Sequence, residues 1–357
     1  MAMKVVGKKP KATSKPKAIR TPIAVLISDI HYNLNNLELA DAALNQAMRK
    51  AEELDVQLII AGDLHDTKAN LRAECVTRLL QTFIQSARKP CILRGNHDSL
   101  NEKTKLHALD FLSASAILID TPRCIGGLYL IPYFHDRNEL ADYLQTIPQG
   151  SMIILHQGIE GSNMGDYVKD ASAISKDVVA GFRCISGHYH ARQDIQTGPL
   201  KSNHVGLYSY IGSPYTQSWG EAKDPTKGFQ VLYNDGSLEF IPTNLRKHVI
   251  CEIEADFMGL RELKQPLDLN PDDLLWVKVT GDREDLQRLS RKEIADGLGL
   301  PTGRAFRLDL IANEQKPVQT EHQTPVSEAD MMDLLIDQLT STSADQKARL
   351  KSLWRGL

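Results

Sequence analysis

Ile23-Ala24-Val25-Leu26-Ile27-Ser28-Asp29-Ile30-His31 is the stretch on which the fold turns. Its first five residues are apolar without alternation, which suits a β-strand covered on both faces. Pro22 bounds the run on one side and the polar Asp29-Ile30-His31 on the other. The same punctuation returns downstream. Residues 56–61 run into Gly62-Asp63-Leu64-His65-Asp66, and residues 91–93 lead to Gly95-Asn96-His97-Asp98. Residues 152–155 end in His156-Gln157-Gly158, and residues 182–186 in Gly187-His188-Tyr189-His190. Between the early strands lie helical patterns: Leu37, Ala40, Leu44, Ala47 and Ala51, then Cys75, Leu79, Leu80 and Phe83. This alternation predicts an α/β layered domain. A further strand is expected at 207–211, and a hairpin at 228–241 that turns at Asn234-Asp235-Gly236.

In open α/β sheets, ligands bind outside the carboxyl ends of the strands. Five strands would therefore deliver carboxylates, an amide and imidazoles to one rim. Mixed nitrogen and oxygen donors without thiolate suit manganese, iron or zinc, and disfavour an all-oxygen calcium or magnesium cage. Asp29/His31 and His188/His190 are spaced to bind one ion together or two neighbouring ions, and Asp63 is the candidate bridge. Gly62, Gly95 and Gly187 beside the ligands relieve crowding.

The chain has 357 residues and a mass of 39.8 kDa, which suggests about two domains. Its 42% apolar and 24% charged residues exclude a disordered or collagen-like chain. The formal net charge of −3 would by itself argue against a nucleic-acid binder. However, Lys4, Lys8, Lys9, Lys11, Lys15, Lys17 and Arg20 crowd into residues 1–20 with no acid, so a basic arm precedes an acidic body. That arm would contact phosphates or serve only as a solubilising tail. No apolar run is long enough to span a membrane, and Pro10, Pro16 and Pro22 interrupt any signal-peptide pattern. Five scattered cysteines without a C-x-x-C pair read as reduced core residues of a cytoplasmic protein.

After about residue 244 the pattern changes. Strands are expected at 249–255, 274–280 and 305–311, with a helical stretch at 282–297. The expected organisation is a flexible arm (1–20), the main α/β domain (21–244), a small α+β unit (245–312), a linker (313–326) and a helical tail (327–357). Met331, Met332, Leu334, Leu335 and Leu339, then Leu350, Leu353 and Trp354, give that tail an apolar face fit for a partner.

The ordered set D-x-H, G-D-x-x-D, G-N-H-D, a lone His after a strand and G-H-x-H resembles the calcineurin-like metallophosphoesterases over about residues 23–240. The resemblance implies a four-layer αββα sandwich with a dinuclear centre. By motif position, one ion would take Asp29, His31, Asp63 and His190, and the other Asp63, Asn96, His156 and His188. His97 would protonate the leaving 3′-oxygen and Asp66 would orient it. The Arg expected after G-D-x-x-D in protein phosphatases is missing, because Thr67-Lys68 follows Asp66. The motifs, with Tyr210-Ile211-Gly212-Ser213-Pro214 and Trp219-Gly220-Glu221, look most like the SbcD-type DNA nuclease subunit. That likeness implies manganese, DNA as substrate in repair or recombination, a homodimer, a capping domain at 245–312 and a tail that docks on an SbcC-like ATPase. A stand-alone phosphomonoesterase or cyclic-nucleotide phosphodiesterase would use the same core, and a non-catalytic scaffold would not need every ligand. His65 stands open between a role at the site and a solvated loop. His107, His135, His204, His248 and His322 match no motif. Tyr215 and Trp219 are expected in the core rather than stacked on bases.

Overall fold

The computed structural model describes residues 19–67, 70–100, 106–163, 173–198, 206–224, 226–261, 267–313, 336 and 343–354. Most of the basic arm, most of the linker and the tail positions Met331, Met332, Leu334, Leu335 and Leu339 lie outside these residues, as do His204 and His322.

The opening apolar run forms β1 (Pro22–Ile27). Val25 and Ile27 face one apolar cluster, while Ala24 and Leu26 face another on the opposite side. All four are fully buried, so the lack of alternation has a direct cause. Each large side chain so buried contributes roughly 1.5–3 kcal/mol. Helix α1 (Leu37–Glu53) buries Ala40, Ala43, Leu44, Ala47, Met48 and Ala51 along one stripe. It stops where Asp55 takes a left-handed φ of 52°, and Val56 N donates to Ala51 O (2.9 Å). The chain thus reverses into β2 (Gln57–Ile60). Helix α2 (Ala73–Ile84) buries Cys75, Leu79 and Phe83 before β3 (Cys91–Leu93) and β4 (Ile117–Ile119).

The second half brings β5 (Arg123–Ile125), β6 (Leu128–Ile131), α3 (Arg137–Gln145), β7 (Met152–His156), β8 (Arg183–Gly187), β9 (Asp194–Thr197) and β10 (Gly206–Tyr210). The hairpin β11 (Gly228–Tyr233) and β12 (Leu238–Pro242) returns to the first sheet. Strand order is β12-β11-β1-β2-β3-β4 in one six-stranded sheet and β5-β6-β7-β8-β10-β9 in the other. The sheets face each other across Ala24, Leu26, Ile59, Leu93, Leu130, Ile154 and Ile185. Helices α1 and α2 cover the outer face of the first sheet. Leu140 and Leu144 of α3 pack on the outer face of the second. This is a four-layer αββα sandwich, as the sequence reading expected.

A third sheet, β14-β13-β15-β16, follows: β13 (His248–Asp256), β14 (Gly259–Leu260), β15 (Leu274–Gly281) and β16 (Arg307–Ala312). It has its own core, with Ile253, Val277, Val279, Leu286, Ile294 and Phe306. The helical stretch expected at 282–297 is two pieces, α4 (Arg283–Arg288) and α5 (Arg291–Gly297). Ser290 breaks it. Its hydroxyl accepts from Glu293 N and the Glu293 side chain caps Ser290 in return, which starts a new helix rather than extending the old one. Helix α6 (Ala344–Trp354) exposes Leu350. Among the described residues no helix is long and apolar enough to cross a membrane.

Candidate metal centre

The ligand-bearing loops leave β1, β2 and β3 of the first sheet and β7 and β8 of the second. Their backbones are unusual. Six non-glycine residues among those described have positive φ, and four of them are predicted ligands: Asp29 (53°), His31 (51°), Asp63 (52°) and His188 (91°). Side chains other than glycine rarely adopt this region, and such strain collects at functional sites. Backbone bonds hold the loops there. Asp29 N donates to Gly62 O (3.1 Å), His31 N to Asp63 O (3.1 Å) and Tyr32 N to Leu64 O (2.8 Å).

Asp98, fully buried, ties the second and third loops together. Its carboxylate accepts from Asp63 N (3.0 Å), Gly95 N (2.8 Å) and His65 N (3.2 Å). Burial and the nearby Asp63 carboxylate push its pKa up, against the pull of these N–H groups. Asp63 Oδ1 in turn accepts from His97 N (2.8 Å). The Asp29 carboxylate accepts from His188 N (3.0 and 3.1 Å) and Ser28 Oγ (2.6 Å), so the first sheet grips the second at the rim.

All seven predicted ligands converge. Asp29, His31 and His190 bring donor atoms within 4.8 Å of one another, and so do Asp63, His156 and His188. Asn96 joins the latter group, with Oδ1 3.0 Å from His156 Nε2 and 2.9 Å from His188 Nδ1. Asp63 Oδ2 stands between the groups, 3.7 Å from His31 Nε2 and 3.2 Å from His156 Nε2. His31 Nε2 and His190 Nε2 are 3.2 Å apart.

The protonation states are fixed from outside. His156 Nδ1 lies 2.7 Å from Ala61 O, which can only accept, so Nδ1 carries the proton and Nε2 offers a lone pair. His190 Nδ1 faces Glu221 Oε1 (2.8 Å), which likewise turns its Nε2 lone pair inward. Nε2 of His156 and of His190 thus turn lone pairs toward the Asp63 and Asp29 carboxylates, a set of nitrogen and oxygen donors that fits a cation. Without one, His156 would have to supply the charge. Burial lowers its pKa, but the Asp63 carboxylate, helped by Asp29 and the Ala61 carbonyl, lifts it to about 9. Burial likewise raises the pKa of Asp63, but His156, His31 and His97 outweigh it and leave it well below the usual carboxylate range.

His97 and Asp66 form a third group with His31. The detail differs from expectation. His97 Nδ1 bonds to the Asp66 main-chain carbonyl (2.9 Å), whereas the Asp66 carboxylate lies 3.5 Å from His31 Nδ1. His65 is not solvated, and its main chain supports the site through Asp98 while its ring turns to the core. It is 2% exposed, packs on Phe111 at 5.6 Å, and burial lowers its pKa to about 4. Tyr215 is in the core, with its hydroxyl on Ile30 O. Trp219 sits edge-on to His248 (4.8 Å) and Trp276 (5.4 Å), and so joins the sandwich to the third sheet.

Three participants had no assigned role in the sequence. Glu221 bonds His190 and pairs with Lys227 Nζ (2.9 Å). Burial raises its pKa, but the hydrogen bond from His190 and the Lys227 charge bring it down to about 2. Gln217 Nε2 donates to Asp29 O (2.6 Å). The Tyr133 ring lies 5.9 Å from His188 and 6.3 Å from His156. A cavity of about 510 Å³ opens beside Asp66, His190 and Glu221. Another of about 340 Å³, between α1 and α2, contains none of the ligands.

Residues 24–192 match the family model described as calcineurin-like phosphoesterase. Over this stretch, just under half of the chain, the protein is similar to that family. The matched stretch contains all seven candidate ligands. A protein named as a phosphoesterase, 244L of Invertebrate iridescent virus 6, is 25% identical over 242 residues, 62% of this chain and 80% of its own. Among solved structures, one titled as a novel archaeal phosphodiesterase aligns over 61% of this chain and 98% of its own. Its TM-score is 0.32 and its identity 14%, too loose a likeness to bear on activity.

Proposed function

We propose that this protein is a metal-dependent DNA phosphodiesterase, an exo- or endonuclease subunit that processes DNA ends in repair or recombination. The observation that carries this reading is the pair of donor groups meeting at Asp63 with His97 alongside. One divalent ion would be held by Asp29, His31, Asp63 and His190, and a second by Asp63, Asn96, His156 and His188, with manganese the expected metal. When bound, the ions supply Lewis-acid stabilisation of the charge that develops on the phosphoryl group.

The chain's own groups do the rest. His97 Nδ1 donates to the Asp66 carbonyl, which leaves Nε2 to act on substrate. In the imidazolium form, Nε2 gives its proton to the 3′-oxygen as a water oxygen bonds to phosphorus and the P–O bond to that 3′-oxygen breaks. Glu221 holds His190 in the tautomer that presents Nε2. The third sheet supports a polymeric substrate over a small phosphoester, since the latter has no evident need of it. An SMC-like ATPase docking on residues 327–357 and a homodimer complete the proposal.

The test is hydrolysis of linear duplex DNA with manganese, with and without an SbcC-like partner. Turnover restricted to nucleotides or other small phosphoesters would instead support a stand-alone phosphoesterase, a reading that the phosphoesterase name of the viral relative also favours.

A further inference from the structure

Arg246 is the unexplained residue beside the centre. It follows the sandwich, two residues before β13 begins, and it lines the 510 Å³ cavity together with Asn33, Asn36, Asp66, His190 and Gln217. Its Nε is buried without a hydrogen-bond partner. Among the described residues its guanidinium has neither a hydrogen bond nor an ion pair. Leaving a buried donor of a charged group unmet is costly, so a ligand that meets it gains correspondingly.

The mount is rigid. Thr216 Oγ1 donates to Arg246 O (3.4 Å) and accepts from His248 N (3.0 Å). On either side, Thr243 Oγ1 donates to Pro214 O (2.5 Å), and Lys247 N to Asp273 Oδ1 (2.7 Å). Leu245 packs on the first core cluster. The backbone that carries the guanidinium therefore need not be ordered on binding.

The cavity's acids do not answer Arg246. Glu221 is engaged by His190 and Lys227, and Asp66 lies at the metal end against His31. The walls between are amides: Asn33 and Asn36 donate to His31 O (3.2 and 2.8 Å), and Gln217 donates to Asp29 O. The volume is within the range of small-ligand sites, about 300–1,000 Å³.

We propose that this cavity is a subsite for a second phosphate of a nucleic-acid strand, gripped by Arg246 while the scissile phosphate lies at the donor groups around Asp63. Planar, forked recognition of phosphate oxygens is what a guanidinium does best. The proposal rests on the DNA phosphodiesterase reading and adds how the enzyme tells a strand from a lone phosphoester.

The experiment compares a single-stranded oligonucleotide with bis(p-nitrophenyl) phosphate, which has no second phosphate. Both are hydrolysed with manganese by the full chain and by Arg246→Ala and Arg246→Lys. For Arg246→Ala, kcat/KM on the oligonucleotide should fall about tenfold more than on the small ester, the effect of one charge-assisted hydrogen bond. The slope of log affinity against log salt should flatten by about 0.7, the share of one phosphate on a single strand. Arg246→Lys, which keeps the charge and the stem, should restore the slope but not all of the selectivity. Thermal unfolding of both variants separates this from loss of fold. Equal losses on the two substrates, or an unchanged slope, overturn the subsite and leave the DNA reading standing. Wild-type protein that cleaves the small ester and not the oligonucleotide refutes both.

Discussion

Gly95→Ala concentrates the logic of the centre into one methyl group. A Cβ at Gly95 would lie 2.1 Å from Asp63 Oδ1 and 2.4 Å from Asp63 N, where ordinary contact begins near 3.4 Å. Something must move by more than about 1 Å, and Asp63 is not free to yield alone. Its N is bonded to Asp98, its O accepts from His31 N, and its Oδ1 accepts from His97 N. Any displacement therefore carries the shared ligand, a second ligand and the proposed acid together. Overpacking of this kind costs roughly 1–3 kcal/mol of stability, which a domain of ordinary stability, about 5–15 kcal/mol, survives. The functional cost is larger in effect, because a misplacement of 1 Å costs about 10²-fold in rate. Thermal unfolding, calorimetric titration with manganese and kcat/KM on bis(p-nitrophenyl) phosphate would be measured on one preparation. The expected result is a folded protein with weakened metal binding and about a hundredfold loss of turnover. Gly220→Ala is the control, since its Cβ would come no closer than 3.5 Å to Ser218 Oγ. If Gly95→Ala kept both metal affinity and turnover within about threefold of wild type, the claim that Asp63 holds the centre in register would be refuted.

Other consequences are simpler to check. His97→Ala should retain metal binding by calorimetry yet lose about 10²–10⁴-fold in turnover, whereas Asp63→Ala should lose the metals; normal turnover in His97→Ala would remove its role as acid. Glu221 has its carboxyl lowered from 4.5 to about 2 by His190 and Lys227 despite burial. A lowered acid contributes stability above its unfolded value and loses it as pH falls through the folded one, so metal-free protein should weaken between pH 4.5 and 2. Glu221→Gln should flatten that part of the unfolding profile, and an identical profile would count against the pairing. Of the five free cysteines, only Cys124 is exposed. Burial lifts the Cys91 and Cys184 thiols to about 11 and 12. A thiol reagent should therefore titrate one group quickly in the native protein and five in denaturant; two fast groups would contradict the burial.

What could be read in the sequence was local. A polar residue at a strand end stands out because a continuous apolar run stops at it, so the candidates Asp29, Asp63, Asn96, His156 and His188 could be picked out from five such ends in order, though no one of them alone would mark a metal. Glu221 was not: it meets His190 across 31 positions, through a turn with no periodicity to mark it. Arg246 is similar, a single cation whose meaning depends on which cavity it borders. The short strands β4, β5 and β9 have three or four residues each, too few for a period to show. Helix α3 buries only Leu140 and Leu144 and so carries little apolar signal. His65 could not be placed from its position between ligand candidates, because what buries it is distant in sequence: a backbone bridge to Tyr32 fixes the chain there and its ring packs on Phe111.

The place of β1 in its sheet has a temporal consequence. It lies between β2 and β11, and Val25 pairs with Val231. Pairings so distant along the chain close late in folding. As the chain emerges from the ribosome, Asp29 and His31 appear among the first residues of the core, but the strand that carries them keeps an open edge until β11 has been made. Open edges are templates for wrong pairing. Ion loading therefore belongs after β11 has joined β1, and a chain cut short before β11 would carry every candidate ligand in its sequence while the strand that bears Asp29 and His31 still had an open edge.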